Sequence, residues 1–219
     1  MSSLFYLRDV FYDKALFTAK ATNSNKSVVC RISSHCNLYP QPPSRTRYPY
    51  IKRQLTTIPP RRNGSNSKNE KGYLSLKADL FNPDSIPGIF STVLAELHTP
   101  PTVVIYNAGS FTAPPDADSV LSITAASVVR DLNINTISPY VAAQQAVAGW
   151  AATLDSDSDA KKTFIYTGNK TNEQIVPMPM FQNIGMGKSA SAYWIGMADA
   201  TYAAKKYRYV CACALWAFL

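Results

Sequence analysis

The chain has 219 residues, 46% of them hydrophobic and 11% aromatic, which is enough apolar material for one buried core. Its formal net charge of +8 is unevenly placed: residues 1–72 hold 13 Lys and Arg against 3 Asp and Glu, whereas residues 73–219 hold 9 against 11. A basic balance confined to one segment argues against a domain built to bind nucleic acid or an anionic membrane.

Taken from the start, Leu4 to Lys20 has the apolar spacing of a short amphipathic helix. Arg8, Asp9, Asp13 and Lys14 interrupt it, so it lacks the uncharged run of a secretory signal, and a cytoplasmic setting with no membrane is expected. Ser27 to Ser33 (Ser-Val-Val-Cys-Arg-Ile-Ser) reads as a strand. From Cys36 to Glu70 the chain is rich in Pro, Arg, Ser and Asn and buries too little apolar surface to offset its ordering entropy, which predicts loop or disorder. Within it, Tyr48 and Tyr50 interleave with the basic residues from Arg45 to Arg62, the one feature suited to an acidic partner; basic arms of this kind are common, and nucleic acid is not the expected ligand. Residues 1–70 therefore form an atypical basic segment.

After Gly72 the pattern becomes regular. Strands are predicted at Tyr73–Lys77, Thr102–Tyr106, Lys162–Tyr166 and from Tyr207, and helices at Asp84–Leu97, Thr124–Leu154 and Gln182–Lys206. Such alternation implies right-handed crossovers and an α/β fold with a mainly parallel sheet covered by helices on both faces. Runs such as Thr-Val-Val-Ile-Tyr and Thr-Phe-Ile-Tyr suit buried strands. The last ten residues, Val210 to Leu219, are apolar but reach only about half a bilayer-spanning length, and read as a buried strand or a loose end. Cys30, Cys36, Cys211 and Cys213 include no Cys-x-x-Cys, and only His35 and His98 are available to join them, so no metal is expected.

In parallel α/β sheets ligands bind at the carboxyl ends of the strands. Those ends read Ala78-Asp79-Leu80, Asn107-Ala108-Gly109-Ser110 and Thr167-Gly168-Asn169. Gly109 allows close backbone approach after a buried strand, and Asn107 has a side chain able to bond neighbouring backbone. Within the next long helix, Pro139 has no N–H to offer the carbonyl of Asn135 four residues earlier, so that carbonyl is left without its usual helical donor.

These segments resemble the short-chain dehydrogenase/reductase family over about 140 residues in the right order. TVVIYNAGS resembles its fourth strand with the Asn-Ala-Gly signature, KADL the preceding strand with its adenine-contacting aspartate, DLNINTISPYVAAQQAV the helix with the catalytic asparagine, and GKSASAYWIG the helix with the catalytic lysine. The resemblance implies a Rossmann-like doubly wound parallel sheet over residues 71–209, incomplete at both ends, with residues 210–219 as an apolar tail. It implies NAD or NADP as cofactor, lined by Asp79, Asn107, Ala108, Gly109 and Lys188, and a small carbonyl or alcohol as substrate. It places Asn135 and Lys188 in the proton relay, with the Asn135 carbonyl holding a water and Thr167 standing in for the family's serine. A homo-oligomer is compatible with it.

The chain also departs from the family. Four residues before Lys188, where the family has its acid–base tyrosine, stands Ile184, which has no proton to transfer. Tyr-x-x-x-Lys does occur four times, at Tyr48/Lys52, Tyr73/Lys77, Tyr166/Lys170 and Tyr202/Lys206. Tyr202/Lys206 lies about 20 Å beyond Lys188 at ~1.5 Å per helical residue and reads as the helix's solvated end; Tyr166 alone could reach the site, from a strand tip. No glycine precedes Gly64, so no glycine-rich phosphate loop exists where the family begins. The strand that should carry it is central, and Ser27–Ser33 is the segment available to fill part of that gap. Loss of resemblance at both ends is the pattern of a truncated or misassembled gene. Two functions follow: an oxidoreductase impaired in this chain, or a non-catalytic remnant with a Rossmann-like core.

Overall fold

Seven strands hydrogen-bond into one sheet in the computed structural model, which describes residues 15–21, 28–34, 67–68, 73–153 and 162–213. In chain order they are β1 (Ala15–Ala21), β2 (Val28–Ser34), β3 (Ser67–Lys68), β4 (Tyr73–Ala78), β5 (Val103–Asn107), β6 (Lys162–Gly168) and β7 (Tyr207–Cys213). Across the sheet the order is β3-β4-β1-β2-β5-β6-β7. β2, β5, β6 and β7 pair in parallel, and β1 is antiparallel to both β2 and β4. β4 therefore points the same way as β2, and the carboxyl ends of five strands share one edge.

The expected α/β arrangement is present, with three parallel and three antiparallel pairings in the sheet instead of a mainly parallel one. The expected helix over Leu4–Lys20 is not: Ala15 to Ala21 form β1, and residues 4–14 lie outside the described residues. β1 has hydrogen-bonding neighbours on both sides, and this ladder outweighs a weak helical periodicity. β2 matches the strand expected at Ser27–Ser33 and occupies the central place next to β5. The Pro-rich stretch expected as loop or disorder lies outside the described residues save Ser67–Lys68. At the other end, β7 runs on through Cys213, past Val210 where the apolar tail was expected to begin, and Val210 is exposed.

Four helices connect the regular part: α1 (Ile86–Leu97), α2 (Ala125–Leu132), α3 (Ser138–Ala152) and α4 (Gln182–Tyr202). α1 buries Ile86, Ile89, Phe90 and Val93, the i, i+3, i+4, i+7 stripe of an amphipathic helix, and ends at His98 in the left-handed conformation. Each crossover, β4 to β5, β5 to β6 and β6 to β7, moves the chain the same way across the sheet, so right-handedness places α1, α3 and α4 on one face. Side-chain alternation agrees: Val104, Tyr106, Phe164, Tyr166, Tyr207 and Tyr209 are buried beneath the helices, while Val103, Ile105, Thr163 and Ile165 on the opposite side are only partly covered. Helical cover of that second face, also expected, is not found among the described residues. None of their helices is long and apolar enough to cross a membrane.

Candidate functional site

The segment expected as one helix from Thr124 is broken where the chemistry was anticipated. α2 starts at the Thr124 cap, whose hydroxyl accepts from the Ser127 amide, and between α2 and α3 residues Asn133 to Ile137 form a π-turn. Pro139 explains the break, since it can donate to no carbonyl of the preceding turn. Asn135 sits in the middle of the π-turn, fully buried.

Its carbonyl has lost its helical donor but is not free. It accepts from Tyr166 Oη at 2.7 Å and from Ser191 Oγ at 2.8 Å, which engages both lone pairs. This corrects the expectation of a vacant carbonyl: a water-holding role would require Tyr166 or Ser191 to let go. The Asn135 side chain is equally engaged, with Oδ1 accepting from the Ser110 amide at 3.0 Å and Nδ2 donating to the Ser110 carbonyl at 2.6 Å. Asn135 thus ties the loop after β5, strand β6 and helix α4 to one point.

Lys188 reaches the same point from α4. Its Nζ donates to the Thr167 carbonyl at 2.7 Å and lies 4.4 Å from the centre of the Tyr166 ring. Burial brings its pKa from the usual 10.5 down to about 8, with the nearby Cys211 thiol acting the other way. A Cβ added at Gly109 would lie 3.5 Å from Asn135 Oδ1 and 3.8 Å from Lys188 Nζ, so Gly109 forms the wall opposite both. Ala108, beside it, is buried.

Other expected site residues stand further off. Strand alternation turns the side chains of Asn107 and Thr167 to the face opposite Tyr106 and Tyr166, so Thr167 meets Lys188 through its carbonyl and not its hydroxyl. This tells against Thr167 as a substitute for a serine hydroxyl on the lysine side. Asp79 lies on the same sheet edge, but three strand spacings from β5, about 14 Å at ~4.8 Å each. Its exposed carboxylate accepts from the amide of Phe81, closing its own turn. Ile184, one turn before Lys188, is partly exposed.

A second cluster was not foreseen. Asp131, fully buried on α2, accepts from Ser110 Oγ at 2.7 Å and from Asn183 Nδ2 at 2.9 Å, which cross-links α2, the loop after β5 and the start of α4. The sequence held one signal for it, an acidic residue one turn before Asn135 on the same helical face. Tyr166 was weighed only as half of a Tyr-x-x-x-Lys pair. It serves instead through its hydroxyl on Asn135, and burial pushes its ionisation well above the usual 10. Tyr202, read as part of a solvated helix end, stacks on Tyr209 at 5.9 Å.

Gly187 permits the junction of α4 with the π-turn, because a Cβ there would collide with the Asn135 Cβ. Gly187→Ala should therefore lower stability by about 1–3 kcal/mol despite the ~1 kcal/mol that alanine gains in a helix. An unchanged urea midpoint would show that the two backbones can part without cost.

The chain is 37% identical over 153 residues to the short-chain dehydrogenase/reductase dmxR12 of Cryptosporiopsis sp., a match covering 64% of this chain and 58% of that protein. Over that stretch the chain is similar to a short-chain dehydrogenase/reductase. Among solved structures, a short-chain dehydrogenase/reductase from Mycobacterium marinum superposes with a TM-score of 0.51 at 19% identity, covering 60% of this chain and 48% of that one. A 3-ketoacyl-(acyl-carrier-protein) reductase from Brucella melitensis, solved with NADH, gives 0.52 at 13% identity over 61% and 52% of the two chains. The likeness to these two structures is one of fold. No family model matches the chain. It spans about half the length of the relatives it matches.

In the family it resembles, the implied cofactor is a nicotinamide dinucleotide. Lys188 Nζ, the kind of donor a ribose hydroxyl would need, lies 3.8 Å from where a Cβ on Gly109 would stand. At the pyrophosphate end, β2 holds the central strand position, and the residues after it up to Gly64, which contain no glycine, lie outside the described residues. Among the described residues, no group of three or more His, Cys, Asp or Glu is placed to hold a metal ion.

Proposed function

We propose that this fold serves oxidoreduction between NAD or NADP and a small carbonyl or alcohol, and that this chain is an impaired version of it. The observation that carries the proposal is the convergence of Gly109, Asn135 and Lys188 at the carboxyl edge of the parallel strands. In it, Lys188 holds the ribose, Asn107 to Gly109 and Asp79 line the cofactor, and Asn135 fixes the loop that carries Gly109. The relay role first expected of Asn135 depends on displacing Tyr166 or Ser191 from its carbonyl. A cytoplasmic setting and a homo-oligomer are part of the same proposal.

The missing proton donor at position 184 supports a second reading, a non-catalytic remnant that keeps the shape of the core. Calorimetric titration of the full chain with NADH and NADPH separates them at the first step. Binding in the millimolar range is expected, weakened by the absent phosphate cradle, and no heat at millimolar dinucleotide removes the oxidoreductase proposal for this chain. Where binding is seen, Ile184→Tyr should raise carbonyl reduction by on the order of 10²–10⁴-fold, the usual contribution of a positioned general acid. No gain across a carbonyl panel would favour the remnant.

A further inference from the structure

Ser110 follows Gly109 at the tip of β5, is 2% exposed, and has its amide, carbonyl and hydroxyl all bonded. The amide donates to Asn135 Oδ1 and the carbonyl accepts from Asn135 Nδ2, while the hydroxyl donates to Asp131 Oδ1 at 2.7 Å. One short length of chain, the end of α2 and the π-turn after it, thus grips the tip twice. The other oxygen of Asp131 accepts from Asn183 Nδ2 at 2.9 Å, in the first turn of α4 and little more than one turn before Lys188. Asp131 and Asn183 are both 0% exposed, so bulk water does not compete for either bond.

Packing alone does not ask for this. A leucine would fill much the same volume at position 131 without the cost of burying polar atoms. Two acceptors facing donors from two different elements instead fix a distance and an angle, which is what a site built across those elements requires. The elements joined are the tip bearing Gly109 and the helix bearing Lys188, whose Nζ stands 3.8 Å from where a Cβ on Gly109 would lie. We propose that Asp131 is a positioning residue for the dinucleotide site: it touches no ligand, and through Ser110 and Asn183 it sets the distance between Gly109 and Lys188. The ligand in this role is the dinucleotide of the proposed function, on which the proposal rests; the clamp on the tip holds with or without it.

Three variants of the full chain separate the clamp from its packing. Asp131→Leu keeps the bulk and cuts both links, and Ser110→Ala cuts one and leaves the backbone bonds to Asn135. Asp131→Asn keeps both. Its Oδ1 accepts from Ser110 Oγ, and its amide meets Asn183 Oδ1, which has no partner among the described residues, once the Asn183 amide turns over. Without dinucleotide, amide hydrogen exchange read by peptide mass spectrometry should speed up on the order of tenfold at residues 107–110 in Asp131→Leu. The increase should be smaller in Ser110→Ala and absent in Asp131→Asn, with α1 unchanged in all three. Should Asp131→Leu fail to fold, Ser110→Ala against Asp131→Asn carries the same comparison. In calorimetric titration with NADH, the Kd should rise on the order of tenfold in the variants that loosen the tip and return to the natural value in Asp131→Asn. Tip exchange unchanged in Asp131→Leu and Ser110→Ala, or equally fast in Asp131→Asn, overturns the clamp. An unchanged Kd in a variant whose tip has loosened overturns the positioning role while dinucleotide binding stands. No heat from the natural chain removes dinucleotide binding and the positioning role with it, an outcome told apart by a clamp that still shows in the exchange.

Discussion

Trp150→Ala should lower the stability of the folded chain by about 3–5 kcal/mol, the range for truncating a fully buried large aromatic. Trp150 is 1% exposed and lies near the end of α3, where its ring meets Tyr207 at 5.1 Å and Tyr209 at 6.1 Å. Its Nε1 donates to the Pro101 carbonyl at 2.7 Å, and its own carbonyl accepts from Lys162 Nζ at 3.0 Å. One residue therefore ties α3 to the amino ends of β5, β6 and β7. Truncation empties a cavity that these rings cannot readily fill and leaves the Pro101 carbonyl without its donor. Urea denaturation reads the loss directly, and a change under about 1 kcal/mol would mean that the cluster closes over the gap.

Lys188→Met should do the opposite and stabilise the chain at neutral pH by about 2 kcal/mol. Lowering a lysine pKa from 10.5 to about 8 corresponds to about 3 kcal/mol against the charged form, at ~1.4 kcal/mol per unit, less ~1 kcal/mol for the lost hydrogen bond to Thr167. The sign with pH follows from linkage. The folded pKa lies below the unfolded one, so between about pH 8 and pH 10 the folded chain gives up this proton while the unfolded chain keeps it. The unfolded state then binds more protons, and stability of the natural chain rises with pH across that window. The advantage of the methionine variant should shrink accordingly from pH 8 to 10. Buried Tyr106, Tyr166 and Tyr209 ionise above the usual 10 in the fold and pull the other way at still higher pH. The difference between the two proteins, followed by thermal or urea unfolding at each pH, cancels that common background. A methionine variant less stable than the natural chain at neutral pH would show that the ammonium is well accommodated.

Much of the regular half was legible because its strands and helices carry strong, separate periodicities. Thr102–Tyr106 and Lys162–Tyr166 lead into β5 and β6 with shifts of one or two residues, and the Pro139 rule located the break at Asn135. What the rule could not supply was the donor that would take up the released carbonyl. Tyr166 and Ser191 come from another strand and another helix, and no local pattern announces a contact 31 or 56 residues away. Asp131 escaped for the same reason, since its partners Ser110 and Asn183 are distant in sequence. β1 was misread because a short segment with mixed periodicity is decided by its neighbours: Ala15 to Ala21 have a strand on either side. Thr167 was placed correctly along the chain and wrongly across the sheet, where a one-residue parity decides which face a side chain meets.

β1 has a consequence for anyone who would trim the molecule to its dehydrogenase-like stretch. Shortened to begin at Tyr73, the polypeptide would leave β4 bare on both flanks and β5 on one, three strand spacings apart and with nothing between them to saturate their amides and carbonyls. Flanks of that kind recruit strands from neighbouring molecules, so the shortened product should clump rather than behave as a miniature enzyme. The basic leading segment that looked foreign to the fold is, in its first two strands, the splice that makes one sheet of two pieces.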